Sequence, residues 1–595
     1  MPVYKAPVED VLFLLNDVFH TERLANLPGF ADAAPDVVEA MLSEVGKFCE
    51  GVLAPLNRIG DQQGCRRSQD GSVTTPDGFR QAYRQVVEGG WIGISVPQEF
   101  GGLGLPTALT QSVNEFMAAA NMAFAMYSGL TQGALAALLK HGTAEQKALY
   151  VPKMVAGEWT GTMNLTEPQC GTDLGLIRTK AVPQSDGSYK ITGTKIFISA
   201  GEHDLAANIV HLVLARIEGA PEGTRGLSLF VVPKVMPNPD GTLGARNAVS
   251  CGSIEEKMGI HGNATCTMNY DGATGWLVAP ENHGLQAMFV MMNEARLGVG
   301  VQGLALSEVA YQNAVQYAKD RLQGRAITGT KFADKPADPI IVHPDVRRIL
   351  MTIRAFNEAA RALILWIAIK SDVAHRSDST QDRESADDRL GLLTPVIKGV
   401  LTDLGFANAV MAQQVFGGHG YIREWGMEQF VRDARIPMMY EGANGIQALD
   451  LVGRKLGKDG GRAVMALFGE IQGYIKEQAA DAAMKPLIEL LAKALGHLQQ
   501  ATLWFMQNAI AKPDNGGAGA TDYMHLLGLV VLGYMWCQIA AAAHRKLRDD
   551  GSGRMSAKLV TARFFMERML PETATHLARI QAGAGSVMEL PAEAF

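Results

Sequence analysis

Apolar and polar positions repeat with two different periods along this chain. From about Pro35 to Met154 apolar residues recur every three or four positions. That spacing predicts helices over 35–54, 77–89, 106–120, 123–141 and 144–156, after a shorter amphipathic helix at 8–19. Near Thr160 the period falls toward two. β-Branched runs bounded by Gly, Asp, Asn and Pro predict strands over 188–193, 195–199, 208–216, 226–233 and 264–270. Short strands so closely spaced predict a small barrel or sandwich. Helical spacing returns near Gly284, over 285–321, 343–373, 391–417 and 444–456, with a shorter segment at 424–436. The polar stretch 375–389 reads as a solvated connection. Beyond a glycine-rich break at 457–461, helices are predicted over 462–480, 486–512, 522–549 and 555–582. Turn-rich stretches at 514–519 and 550–553 separate them, and Pro571 breaks the last.

This order predicts a mostly helical α+β chain. Its parts are an N-terminal extension (1–35), a helical domain (36–158), a central β domain (159–283), a four-helix bundle (284–458) and an additional helical domain (459–595). A length of 595 residues allows several domains. The formal charge of −7 is spread along the chain, so no basic face favours nucleic acid. Six scattered cysteines show neither a disulfide framework nor metal-ligand spacing, so no metal is expected and a reducing cytoplasm fits. The N-terminus lacks the layout of a signal peptide. Residues 524–543 are long and apolar enough to span a bilayer. The reading adopted is a central bundle helix, apolar all round because it is surrounded, with Gly528 and Gly533 suited to close packing. No transmembrane segment is therefore expected, and peripheral membrane contact stays open.

Three short stretches carry the candidate chemistry. Met439-Tyr440-Glu441-Gly442-Ala443-Asn444-Gly445-Ile446-Gln447 sets one carboxylate between an aromatic ring and a glycine, just before a helical pattern. A carboxylate in apolar company gains basicity, and Gly442 lets a substrate approach the backbone. Gln414-Val415-Phe416-Gly417-Gly418-His419-Gly420 is a glycine-rich turn ending a helix. Leu165-Thr166-Glu167-Pro168-Gln169-Cys170-Gly171-Thr172-Asp173 opens the β region.

These stretches, in this order, resemble the acyl-CoA dehydrogenases over about residues 36–456. The extensions at both ends resemble a long-form bacterial branch that includes 3-methylmercaptopropionyl-CoA and long fatty acyl-CoA dehydrogenases. The resemblance implies FAD-dependent α,β-dehydrogenation of an acyl-CoA thioester to the trans-2-enoyl-CoA. Glu441 would remove the α-proton and flavin N5 would accept the β-hydride. Electrons would pass to electron-transferring flavoprotein. It further implies that Met163, Leu165, Thr166, Gly171, Thr172, Phe197 and Ser199 hold the flavin. Arg321, Gln414, Gly417, Gly418 and Asn444 would contact the rest of FAD, with Arg321 reaching across to a neighbouring subunit. Arg296, Tyr440, Gly442 and Thr172 would meet substrate. A flavin site shared between subunits implies a homo-oligomer, with a dimer favoured.

The chain departs from the family pattern in places. Gln169-Cys170 replaces the usual Gly-Ala, Phe197 stands where most members have Trp, and Leu322-Gln323-Gly324 after Arg321 lacks the Phe of the usual Arg-x-x-Phe-Gly. Ala443-Asn444-Gly445 replaces Thr-x-Gln, leaving Asn444 either to cap the helix or to reach FAD. Some members carry the base directly before an arginine on the first long C-terminal helix. Here Ala295 precedes Arg296, and Glu294 is one residue off, about 100° around the helix, which favours Glu441. The alternatives are an oxygen-using acyl-CoA oxidase, a DNA-associated member of the fold and a flavin-free acyl-CoA binder. The absence of a strongly basic 461–595 region counts against the DNA-associated reading.

Overall fold

The computed structural model describes residues 2–509, 511–550 and 553–595. The chain forms two compact units. One is Glu44–Gly298; the other joins Met1–Ser43 to Val299–Phe595.

In the first unit, the segments predicted at 106–120 and 123–141 run on as one bent helix, α1 (Thr107–His141). The bend falls at Asn121, whose φ of −161° and ψ of 91° are not helical. The Asn121 side-chain oxygen accepts the Phe124 N–H at 3.1 Å, so it caps the second half of the helix from inside. The following helix, Ala144–Val155, starts at a reciprocal capping box between Thr143 and Gln146.

A seven-stranded sheet follows: β1 (Trp159–Asn164), β2 (Lys180–Pro183), β3 (Tyr189–Ser199), β4 (Asn208–Ile217), β5 (Leu227–Pro233), β6 (Val249–Ile254) and β7 (Thr265–Val278). The predicted 188–193 and 195–199 runs are one strand, β3. Five strands close a ring in which β7 pairs with β3, β3 with β2, β2 with β4, β4 with β5, and β5 with β7. Strand β1 lies parallel beside β4, and β6 pairs with β7. The ring confirms the predicted small barrel. Its interior is filled by Ile191, Val213, Phe230, Val232 and Ala273, all buried. Closure leaves the ring strands no bare hydrogen-bonding edge.

The second unit is helical. Its long elements are α2 (Gly284–Asp320, entering from the first unit), α3 (Pro344–Arg376) and α4 (Thr380–Val415). The short α5 (Asn444–Asp450) follows. Helices α2 and α4 cross at Gly303 and Gly405. A Cβ added at either glycine would lie 2.4 or 2.3 Å from the other helix's backbone. Only glycine permits so close an approach.

Two sequence expectations are corrected here. The polar stretch 375–389 is not a connection. Helix α4 begins at Thr380, where the Ser379 side chain accepts the Asp382 N–H. The charges lie on its first turns. Arg389 pairs with Glu470, and Arg462 grips Asp388 at 2.6 Å, so these polar residues hold the later helix Arg462–Gln478. Likewise 514–519 does not separate helices. The helix α6 (Pro513–Asp550) starts at Pro513 and runs through those glycines. A Cβ at Gly519 would touch the Phe505 ring at 3.0 Å, so glycine here serves close packing. In the predicted separator at 550–553, Gly551 and Ser552 lie outside the described residues. Pro571 does break the last segment, between Gly553–Arg568 and Glu572–Ala582.

Among the described residues three helices are long and apolar enough to cross a membrane, and the apolar part of α6 is almost wholly buried. That matches the central bundle helix expected at 524–543. A buried charge cluster ties the N-terminal segment to the rest. Arg361 bonds Asp10 at 2.7 Å and Glu308 at 3.1 Å, while Lys558 bonds Asp10 and Glu358. Burial pushes the Asp10 carboxyl up, but Lys558 and Arg361 outweigh it and hold it well below the usual range.

Candidate active site

In the first unit, the candidate residues of the β domain gather where β1 ends. Leu165 and Thr166 leave the strand, and two bonds tie this loop to β3. Ile196 N–H donates to the Thr166 carbonyl at 2.9 Å, and Lys195 Nζ donates to the Leu165 carbonyl at 2.9 Å. The structure therefore brings the 163–166 and 195–199 segments together. Glu167 closes the arrangement. It accepts from Lys195 Nζ at 2.8 Å, the Thr179 hydroxyl at 2.6 Å and the Arg178 N–H at 2.8 Å. Burial alone would raise the Glu167 carboxyl. Lys195 and the other donors overcome this and bring it down to about 2. Burial lowers Lys195 to about 8 against the pull of Glu167. The pair is thus ionised from acid to neutral pH. This positioning pair was not singled out from sequence. Both residues stood inside quoted motifs, and a Lys in a strand otherwise apolar on that face was the available signal.

Phe197 sits at a bulge where β3 carries one extra residue against β7. Its φ is +59°, rare for a side chain other than glycine, and 59% of its surface is exposed. A bulge re-aims one side chain, and here it turns an aromatic ring out of the barrel. Ser199 and Met163 are half-buried, and Leu165 is nearly buried. Gly171 and Thr172 are exposed in the loop beyond Glu167, and a Cβ added at Gly171 would meet nothing within 4 Å. Cys170 is buried and bonds the Asp173 carbonyl, which fits a packing role. An outward aromatic face, a nearby hydroxyl and an open glycine loop fit a flat aromatic cofactor bearing phosphates. Arg296, on the part of α2 within this unit, is buried against Phe289 rather than lying on a helix surface.

In the helical unit, Glu441 and Gly442 are consecutive left-handed residues, with φ of +56° and +83°. Such a conformation at Glu441 is strained and must be held by its surroundings. Gln447 Nε2 bonds the carbonyls of both residues at 3.1 Å, and Lys398 Nζ bonds the Gly442 carbonyl at 2.8 Å. Tyr440 donates its phenol to Gln302, and burial, with the Glu441 charge beside it, drives its ionisation far upward. The expected apolar cover from Met439 is not there, since that side chain is 48% exposed. Asn444 does not cap the helix. It is the first residue of α5, and the cap position belongs to Ala443. Its amide is engaged instead with Lys398, Gly399, Thr402 and Asp403 of α4.

Arg321 is exposed directly after α2 ends. One turn earlier Tyr317 stacks on Phe416 at 4.1 Å and bonds His419 at 2.8 Å. Arg321, Gln414, Gly417 and Gly418 therefore share one neighbourhood. Gly417 follows the helix end with φ of +57°, a left-handed cap position. Among the described residues no cluster of His, Cys, Asp or Glu could hold a metal.

Fold and residues define an acyl-CoA dehydrogenase, and the chain belongs to that flavoprotein family of oxidoreductases acting on acyl-CoA. The family's N-terminal, middle and C-terminal domain models match residues 36–158, 162–273 and 282–456. The model described as acetyl-CoA dehydrogenase C-terminal like matches 467–591. The chain is 42% identical to 3-methylmercaptopropionyl-CoA dehydrogenase of Ruegeria pomeroyi, across 97% of this chain and 98% of that one. It is 35% identical to the broad-specificity linear acyl-CoA dehydrogenase FadE5 of Mycobacterium tuberculosis, across the whole of both. Its fold matches Caenorhabditis elegans ACDH-11 in complex with C11-CoA, at a TM-score of 0.78 and 20% identity, over 99% of this chain and 96% of that one.

Proposed function

We propose that the chain is an FAD-dependent dehydrogenase that converts an unbranched acyl-CoA to its trans-2-enoyl-CoA, with Glu441 as the base. The observation that carries this is the strained Glu441-Gly442 pair, its two carbonyls pinned by Gln447 and Lys398. A protein tolerates such strain where it fixes a functional side chain. Glu441 takes the α-proton, and a backbone N–H in this loop offers the thioester oxygen a hydrogen bond as negative charge develops. Gly442 leaves room for the thioester.

Met163, Leu165, Thr166, Phe197 and Ser199 would hold the isoalloxazine. Gly171 and Thr172 would meet the pyrophosphate side, and Arg321, Gln414, Gly417 and Gly418 the remainder, from a neighbouring subunit of a homodimer. Bound FAD would supply the hydride acceptor that no side chain provides. An acyl-CoA dehydrogenase of Bacillus anthracis of the same fold, 21% identical with a TM-score of 0.74, is complexed with FAD. Both named relatives act on unbranched acyl groups, which supports that substrate class. Electron-transferring flavoprotein is the assigned acceptor, and the cytoplasm the assigned compartment.

The test is Glu441→Gln. It should retain FAD and bind acyl-CoA, yet abolish bleaching of the flavin by substrate. Full reduction at the normal rate assigns the base elsewhere. Rapid reoxidation of the reduced wild-type enzyme by air would replace the flavoprotein acceptor with oxygen.

A further inference from the structure

The Gly442 carbonyl is the inner end of a longer chain of hydrogen bonds. Lys398, with no solvent exposure, spends Nζ on the Gly442 carbonyl and, at 2.7 Å, on Asn444 Oδ1. Asn444 Nδ2 donates to Asp403 Oδ1 at 2.7 Å and to the Thr402 hydroxyl at 2.9 Å. Asp403 turns its other oxygen to His525 Nε2 at 2.9 Å. His525 lies on α6, in the additional helical domain. Its ring stacks on His576 at 5.8 Å, and His576 bonds Asp522 at 2.7 Å.

We infer that the additional C-terminal domain positions the base of this enzyme, through the relay His525, Asp403, Asn444 and Lys398. This rests on Glu441 being the base.

Three features separate the relay from ordinary packing. First, it ends on the Gly442 carbonyl, directly after Glu441 in a left-handed pair whose backbone resists its conformation unless held. Second, Asn444 turns its side chain away from its own helix and onto α4. A first-turn Asn serving only its helix would have no use for that direction. Third, Gln447 makes the same choice at a cost to itself. Its Nε2 meets the Glu441 and Gly442 carbonyls while its Oε1 is buried with no partner. Buried polar groups rarely go unpaired without reason. With Lys398 removed, Asn444 Oδ1 loses its donor and the Gly442 carbonyl is left with Gln447 Nε2 alone, which it shares with the Glu441 carbonyl. The pair then relaxes toward ordinary dihedrals and swings the Glu441 carboxylate away from the α-carbon. A misplacement of about 1 Å is enough to cost on the order of 100-fold in rate.

The test isolates proton abstraction in the full-length FAD-loaded enzyme. The probe is methylthioacetyl-CoA, whose β position is sulfur and carries no hydride to give up. In D2O the base removes an α-proton, exchanges it with solvent and returns deuterium, and NMR follows the loss of the α-hydrogens. Lys398→Met and Asn444→Ala should slow exchange at least tenfold while probe affinity stays within about twofold. His525→Leu should slow it several-fold, and His525→Gln, which keeps an N–H for Asp403, should restore it. Exchange at the wild-type rate in Lys398→Met and Asn444→Ala overturns the relay. Equal rates in His525→Leu and wild type overturn the part of the C-terminal domain. Because His525 is only half-buried, its two variants decide the matter even if Lys398→Met fails to fold. Glu441→Gln is the control. Exchange that survives there removes the base assignment itself, whereas a silent Glu441→Gln beside normal relay variants removes only the positioning.

Discussion

Lys195 and Glu167, 28 residues apart in sequence, meet at 2.8 Å with 0% and 3% of their side chains exposed. Removing one partner of such a pair strands a buried charge. Lys195→Met should cost about 3–5 kcal/mol by chemical denaturation. The double variant Lys195→Met with Glu167→Gln should recover much of that. Because Lys195 also holds the Leu165 carbonyl, the single variant should lose bound flavin, measured as the flavin-to-protein absorbance ratio. A single variant as stable as wild type would refute the role.

His203 and His211 are buried beside β1, bonded to the Thr160 and Thr162 hydroxyls at 2.8 and 2.7 Å. Burial, then the Lys234 charge, brings both down to about 3. The unfolded chain binds protons near pH 6.5 that the native state refuses. Their contribution to stability is present above pH 6.5 and is lost as pH falls toward 3. From pH 6.5 to 5, above the ordinary carboxylate range, unfolding free energy should fall by about 2 kcal/mol per pH unit. Denaturant titrations across that interval check it, and a flat profile contradicts it.

Arg321 is exposed with a neutral structural burden, so its loss should touch FAD and little else. Arg321→Ala should change stability by no more than about 0.5 kcal/mol. It should also release FAD on gel filtration. Undiminished FAD occupancy would remove Arg321 from the cofactor site.

Ser128 lies on α1, in the first unit. Its hydroxyl is buried with no partner. Ser128→Ala removes that unpaired group and should raise stability by about 1 kcal/mol. If the hydroxyl faces the acyl tail, the variant should also shift preference across a panel from butyryl-CoA to palmitoyl-CoA, with 3-methylmercaptopropionyl-CoA included. A loss of stability would show that the hydroxyl has a partner in solution.

Much of this architecture was readable because local pattern and tertiary environment agree. The apolar run at 208–216 is buried on both faces in β4, and the gap between 120 and 123 is the Asn121 bend. Reading failed where composition and environment part. Residues 375–389 are charged enough to look like loop, yet Asp388 and Arg389 are gripped by the helix Arg462–Gln478. The glycines after Pro513 look like a separator, yet they let α6 press against Phe505. Among the candidate residues, Glu441, Thr166 and Arg321 are marked by adjacent motif residues. Lys398, Asp403 and His525 were invisible because nothing near them in sequence marks them. Only folding aligns the three with Asn444, through hydrogen bonds that span 41 to 122 residues.

The crossing of Gly303 and Gly405 fixes what this scaffold can become. No residue larger than hydrogen fits at either point, and changing one does not make room at the other, since each obstacle is backbone. Random libraries should return glycine at both places whatever the selection applied. Re-engineering of the bundle for new substrates has to proceed around that locked junction, with variation confined to helix faces that do not require the two backbones to part.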